Sequence, residues 1–280
     1  MGGAAGKPKR GASGKGVLMT SFDSVMAGVV ADGDGWVASP TDDWLQGRTL
    51  YGGLSAALAL KACELAVPGL PPLRAGQIAY IGPAAGEVRM EPRMIRQGKS
   101  VTFVACDLIS NGAVALRALY AFGGSRPSAY AGVAPPPPVF RKPEDCPPLW
   151  PGQGLGPSFA QHLNQRLAGD VRPFSGADTG DLLIWVKHAE AVTPGQVALV
   201  AMGDALPPAS FTRFTQPNVI STMTWSFDLF DPTHADGSGW LLLHSKDDGV
   251  GEGYAGQDMG MWDESGRPLM RGRQSVAIFG

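Results

Sequence analysis

Cysteine is scarce in this chain and scattered. Cys63, Cys106 and Cys146 are the only three, and no CxxC pair exists to hold a metal. An odd, dispersed set excludes a disulfide framework and points to a reducing, cytoplasmic setting. The four histidines (His162, His188, His234, His244) lie far apart, without HExxH spacing, so no metal is expected. Charge of either sign is balanced at a net −2, which gives no reason to expect nucleic acid or a membrane surface as partner. No apolar run reaches the roughly 18 residues that span a bilayer. The Gly-rich, basic stretch 1–17 lacks an apolar core, so it reads as a disordered tail and not as a secretion signal.

What is present is material for burial. A chain that is 44% hydrophobic and 17% charged describes a well-packed globular protein. Its 280 residues allow about two domains at about 150 residues each. The most apolar stretch is 193–206. Thr193-Pro194 is expected to start a helix there, and Pro207-Pro208 to end it. A helix without a wet face is buried all round. It nevertheless carries Asp204 near its C-terminus, where the helix dipole disfavours an anion. Such a carboxylate is either an ordinary helix-end group or an acid with a raised pKa and a task.

A second helix, rich in small residues, is expected over 50–66. Asp32-Gly33-Asp34-Gly35 marks an early hairpin. Strands are expected over 77–81, 87–97, 100–109 and 113–122, the last two joined by a hairpin about Ser110-Asn111-Gly112. Prolines then crowd 132–151, which reads as a stiff linker. Beyond it the plan repeats: a strand at 181–187, the Asp204 helix, and strands at 219–230, 240–245, 258–262 and 268–279, with a Gly-rich loop at 248–256. Helix followed by meander, twice, is an α+β arrangement.

Several motifs fail on their spacing. Gln97-Gly98-Lys99-Ser100 ends like a phosphate loop, but its first Gly would fall at Arg93. Gly53-Leu54-Ser55-Ala56-Ala57 lacks the last Gly of a nucleophile elbow, and Ser55 lies within a helix. The informative residues are polar ones on apolar faces. Strand alternation puts Gln274 among Met270, Gly272, Val276 and Ile278, so it must find a partner. On 219–230 the same alternation puts Val219, Met223, Trp225, Phe227 and Leu229 on one face. Thr222 and Thr224 share the other. That hydroxyl row is either a solvent face or the partner of Asp204 and Gln274. An acid, an amide and a hydroxyl together can hold one water and take its proton.

From about Phe22 to Phe279 the chain resembles the double hotdog acyl-CoA thioesterases of the bacterial thioesterase II type. The resemblance is carried by Gly47-Arg48-Thr49-Leu50-Tyr51-Gly52-Gly53, by 181–187, by Ala201-Met202-Gly203-Asp204-Ala205-Leu206-Pro207-Pro208, and by 269–276 after Asp263-Glu264-Ser265-Gly266. It implies two tandem hotdog units, at 18–131 and 158–280, joined by a linker at 132–157. It further implies thioester hydrolysis without a cofactor and homo-oligomers as the assembly. Asp204, Thr222 and Gln274 would hold the hydrolytic water, with Thr224 a possible substitute for Thr222. Gly52, Gly53 and Thr224 would line the acyl-CoA site. Arg93 and Arg96, with Lys99, Arg271 and Arg273, are candidates for the CoA phosphates, or else ordinary solvated strand charges. The first half has Glu64 one position out of register and Tyr120 in the place of Gln274, so one live site and one degenerate copy are expected. A hotdog dehydratase would need a helical His, and neither helix has one. A non-catalytic acyl-CoA or lipid-binding protein is the alternative.

Overall fold

The computed structural model describes residues 19–130, 132, 134–152, 155–230 and 236–279. The tail expected over 1–17, and His234, lie outside them. In the first half come α1 (Phe22–Ala27), β1 (Val30–Asp32), β2 (Gly35–Ala38), β3 (Leu45–Gln46), β4 (Thr49–Leu50) and α2 (Gly52–Ala66). The strands β5 (Leu73–Tyr80), β6 (Val88–Gln97), β7 (Thr102–Ser110) and β8 (Ala113–Phe122) follow. In the second half come β9 (Leu163–Leu167), β10 (Asp181–His188), α3 (Gln196–Gly203), β11 (Val219–Leu229), β12 (Leu241–Gly251), β13 (Tyr254–Asp263) and β14 (Pro268–Phe279).

Twelve of these strands form one antiparallel sheet in the order β1-β2-β6-β7-β8-β5-β11-β14-β13-β12-β10-β9. The order reads alike from both ends. β5 and β11 meet at the centre, each half then runs outward through its last strand, and the halves are joined by main-chain hydrogen bonds between β5 and β11. The fold is a double hotdog, with two helices wrapped by one continuous sheet. Both helices are buried as their composition demands: residues 53–60 of α2 and 198–203 of α3 are inaccessible to solvent.

The hairpins form where turn chemistry places them. Asn111 and Gly112 both take positive φ, as a two-residue turn between twisted strands requires. Three expectations need correction. The helix expected from 193 begins at Gln196, because Thr193 does not cap it; its N–H and hydroxyl bind the Asp23 carboxylate instead. The loop expected over 248–256 is the end of a long hairpin, turned at Glu252-Gly253, in which Gly249 still pairs with Gly256. Poor strand propensity of glycine is overridden there by ladder pairing, of Gly249 and Gly251 with β13 and of Gly256 with β12 and β14. The 132–157 linker is packed in part. Leu149 is buried, its N–H bonds Gln165 O, and Pro148 bridges to Arg166 of β9.

Gly53 sets how closely α2 and α3 approach. A Cβ on it would stand 2.5 Å from the Tyr51 ring and would strike the Ala201 carbonyl. The Tyr51 hydroxyl donates to that same carbonyl at 2.5 Å. Gly53→Ala should therefore prise the helices apart at a cost of about 1–3 kcal/mol, read as a lower denaturant midpoint. An unchanged midpoint would show that the helices have slack.

Candidate functional site

Asp204 is the residue that closes α3, with φ −103° and ψ 10°. Its Oδ1 accepts a hydrogen bond of 2.5 Å from the Gln274 Nε2 of β14. The Gly53 N–H, in the first turn of α2, favours the charged form of its carboxylate. Gly52 lies against the other oxygen: a Cβ there would be 2.5 Å from Asp204 Oδ2 and 3.1 Å from the Tyr80 hydroxyl. The acid thus sits at the wrong end of its own helix and at the right end of the neighbouring one, whose free N–H groups favour an anion.

Burial dominates the acid's proton affinity. It pushes the Asp204 pKa up to about 7, while the bonds from Gln274 and Gly53 pull the other way. The phenols of Tyr51 and Tyr80 are held well above their usual range by burial first and the Asp204 charge second, so both stay neutral. The Tyr80 hydroxyl is itself buried and makes no hydrogen bond to the described residues.

The Gln274 amide is held from its far side. Its Oε1 accepts from Gln257 Nε2 at 2.8 Å, and Gln257 Oε1 accepts from the Ala209 N–H at 2.7 Å. Gln257 and Gln274 are direct cross-strand partners, and both are buried. A second clamp holds the end of α3, where Gln165 of β9 donates to Ala205 O at 2.9 Å and accepts from Trp150 Nε1 at 2.8 Å.

Asp204, Gln274 and Thr222 face a common cavity of about 60 Å³, more than one water requires. Trp150, Phe159 and Phe211 give it apolar walls. Thr222 reaches it because of a bulge. The β11–β14 register shifts between Thr222 and Thr224, so Thr222 lies opposite Val276 and Thr224 opposite Ser275. One extra residue, Met223, reverses the alternation of the strand. Thr222 and Thr224 therefore do not share a face, contrary to the strict period of two. Thr224 is exposed and does not line the cavity, and Val219 leaves the Trp225 face with 70% of its surface exposed.

The other sequence candidates divide. Gly52 and Gly53 are at the acid. Arg93 and Arg96 are exposed on β6, five strands along the sheet from β14 and outside the cavity lining. Arg273 is engaged on the surface by Asp248 at 2.6 Å and Asp258 at 2.9 Å. In the first half, Tyr120 donates to Ala56 O at 2.7 Å within the core. Its cross-strand neighbour in β7 is Val104, where Gln274 has Gln257. Glu64 is half-buried, its pKa raised by burial and eased by Lys61, and it makes no hydrogen bond to Tyr120 among the described residues.

Sequence reading missed Gln257, Gln165, Trp150 and Tyr80. Gln257 had a usable signal, since Ala255, Gln257 and Met259 alternate on a buried face once β13 is extended back to Tyr254. Gln165 had a weaker one, since it alternates with the buried Leu163 and Leu167 on a strand of only five residues.

Models of two domains match the chain in sequence: the acyl-CoA thioesterase N-terminal domain at residues 40–123 and the acyl-CoA thioesterase C-terminal domain at residues 143–278. The chain belongs to the acyl-CoA thioesterase family. Among solved structures, a hot dog protein of unknown function from Alicyclobacillus acidocaldarius superposes with a TM-score of 0.83 at 23% identity, over 92% of this chain and 98% of that one. A putative thioesterase II from Thermobifida fusca gives 0.80 at 20%, over 94% and 99%. An acyl-CoA thioesterase II from Mycobacterium marinum gives 0.75 at 13%, over 92% and 98%. At these identities the likenesses speak for the double hotdog fold. No curated protein matches the chain.

The raised pKa of Asp204 has a consequence for stability. Its folded value, about 7, lies above the ordinary 3.8, so the folded chain holds this proton more tightly than the unfolded chain. That stabilisation is present below the ordinary pKa and is lost as pH rises through about 7. Asp204→Asn should raise the melting temperature most at pH 8, less at pH 5, where the unfolded carboxyl is already ionised, and change it little at pH 3. A variant less stable at pH 8 would mean that the carboxylate is a structural anion.

Proposed function

We propose that this protein hydrolyses the thioester of acyl-CoA to free acid and CoA, with Asp204 as general base. The observation that supports it most is the Asp204–Gln274 contact beside a cavity that Thr222 also lines. The acyl carbonyl enters this cavity along its apolar walls. A water held by Thr222 and Gln274 gives its proton to Asp204 as its oxygen bonds the carbonyl carbon. Positioned proton transfer of this kind contributes about 10²–10⁴-fold. The tetrahedral intermediate collapses by breaking the carbon–sulfur bond. The proton on Asp204 then passes to the departing thiolate, which restores the base. A thiolate leaves readily, so a site without histidine suffices. The Tyr80 hydroxyl, buried and without a partner among the described residues, is a donor suited to the developing oxyanion.

The test is thiol release from acyl-CoA substrates of graded chain length. Asp204→Asn should lower turnover about 10²–10⁴-fold with the fold retained. Thr222→Val should cost about tenfold or more, and Thr224→Val, altered on the outer face, should cost nothing. Full turnover by the Asn variant contradicts the base assignment. Acyl-CoA retained without thiol release would make this a binding protein.

A further inference from the structure

The amides behind Asp204 form a chain whose two ends are of fixed character. At one end stands the Ala209 N–H, which can only donate. Each amide then accepts on its oxygen and donates from its nitrogen, Gln257 to Gln274 and Gln274 to Asp204 Oδ1. All three residues beyond Ala209 are thereby oriented. Were the Asp204 proton to sit on Oδ1, that oxygen would become a poorer acceptor for the Gln274 NH2, and an O–H pointing at Gln274 would require the amide to turn and offer its oxygen. Its NH2 would then face Gln257, Gln257 would turn in response, and its own NH2 would meet the Ala209 N–H donor to donor. That arrangement leaves a buried N–H unpaired, which is costly.

We propose that Gln257 is a positioning residue that fixes the direction of this amide relay and so confines the Asp204 proton to Oδ2. The proposal rests on Asp204 as the base. It adds which oxygen receives the proton, namely the one beside Gly52 and the Tyr80 hydroxyl. The titratable groups that face Asp204 are Tyr51 from the start of α2 and Tyr80 from β5, and neither changes charge near neutrality. From β14, β13 and β11 the facing groups are Gln274, Gln257 and Thr222, all uncharged. The relay acts on the acid by hydrogen bonding alone.

The test is a carbon-13 titration of the Asp204 carboxyl in the full chain without substrate, a readout that does not require turnover. Gln257→Met removes the fixed end while roughly keeping volume, so Gln274 becomes free to turn and Oδ1 can take the proton. The Asp204 midpoint should rise by about one pH unit. In a Gln274→Met background the same substitution should leave the midpoint where it is, because the relay is already cut. A merely structural Gln257 would lower the melting temperature without moving the midpoint, and that result overturns the proposal. An equal shift in both backgrounds overturns it too. Should Gln257→Met not fold, the native protein still decides. The Gln274 NH2 protons must stay protected from exchange both above and below the Asp204 midpoint, and loss of protection on protonation contradicts a fixed relay. Absence of thioesterase turnover, with the shifts as expected, would remove the proposed function and leave the relay standing.

Discussion

The structure depends on one costly placement: a carboxylate buried where an apolar helix ends. An isolated charge there would be expelled or neutralised. Its surroundings offset this only in part. The start of α2 presents N–H groups to it, which is possible because residues 52 and 53 lack side chains. Gln274 donates to it, and Gln257 keeps Gln274 turned the right way. The remaining deficit appears as a pKa near 7, the property a base at neutral pH needs. A better-solvated Asp204 would be ionised more fully and would be a weaker base.

The tandem architecture explains how one site tolerates that cost. The sheet is nearly symmetric about the β5–β11 contact, and each half wraps one apolar helix. Among the described residues, only the second half carries the polar set. In the first, Tyr120 and Val104 give a core closed by a single hydroxyl–carbonyl bond to Ala56. The halves are nonetheless interdependent, because α2 of the first supplies the Gly53 donor and β5 supplies Tyr80 to the acid of the second. The site is therefore a property of the paired units and not of the second half alone.

Much of this was legible in the residues. The two helices announce themselves by continuous small or apolar side chains, and the hairpins by Asn111-Gly112 and Gly33. Asp204 and Gln274 stand out because each is a lone polar group on a buried surface, and a lone buried polar group must be paired. What could not be read is what depends on contacts between strands. The Met223 bulge reverses the alternation within β11, so counting by two set Thr222 and Thr224 on one face. Ladder pairing carries β12 and β13 through glycines that read as a loop. Gln257 was hidden by that same misreading. Charge alone groups Arg93 and Arg96 with the site, and sheet order sets β6 five strands away from β14.

The central claim is that one buried acid both sets the proton inventory of the site and takes the proton in the reaction. The most direct test overlays two curves from the same native protein: kcat/KM for acyl-CoA against pH, and the carbon-13 titration of the Asp204 carboxyl against pH. A single shared midpoint near 7, with rate rising as the carboxyl ionises, is the result this account requires. A rate that is flat across that range, or that turns on at a pH where Asp204 is already fully ionised, would contradict it.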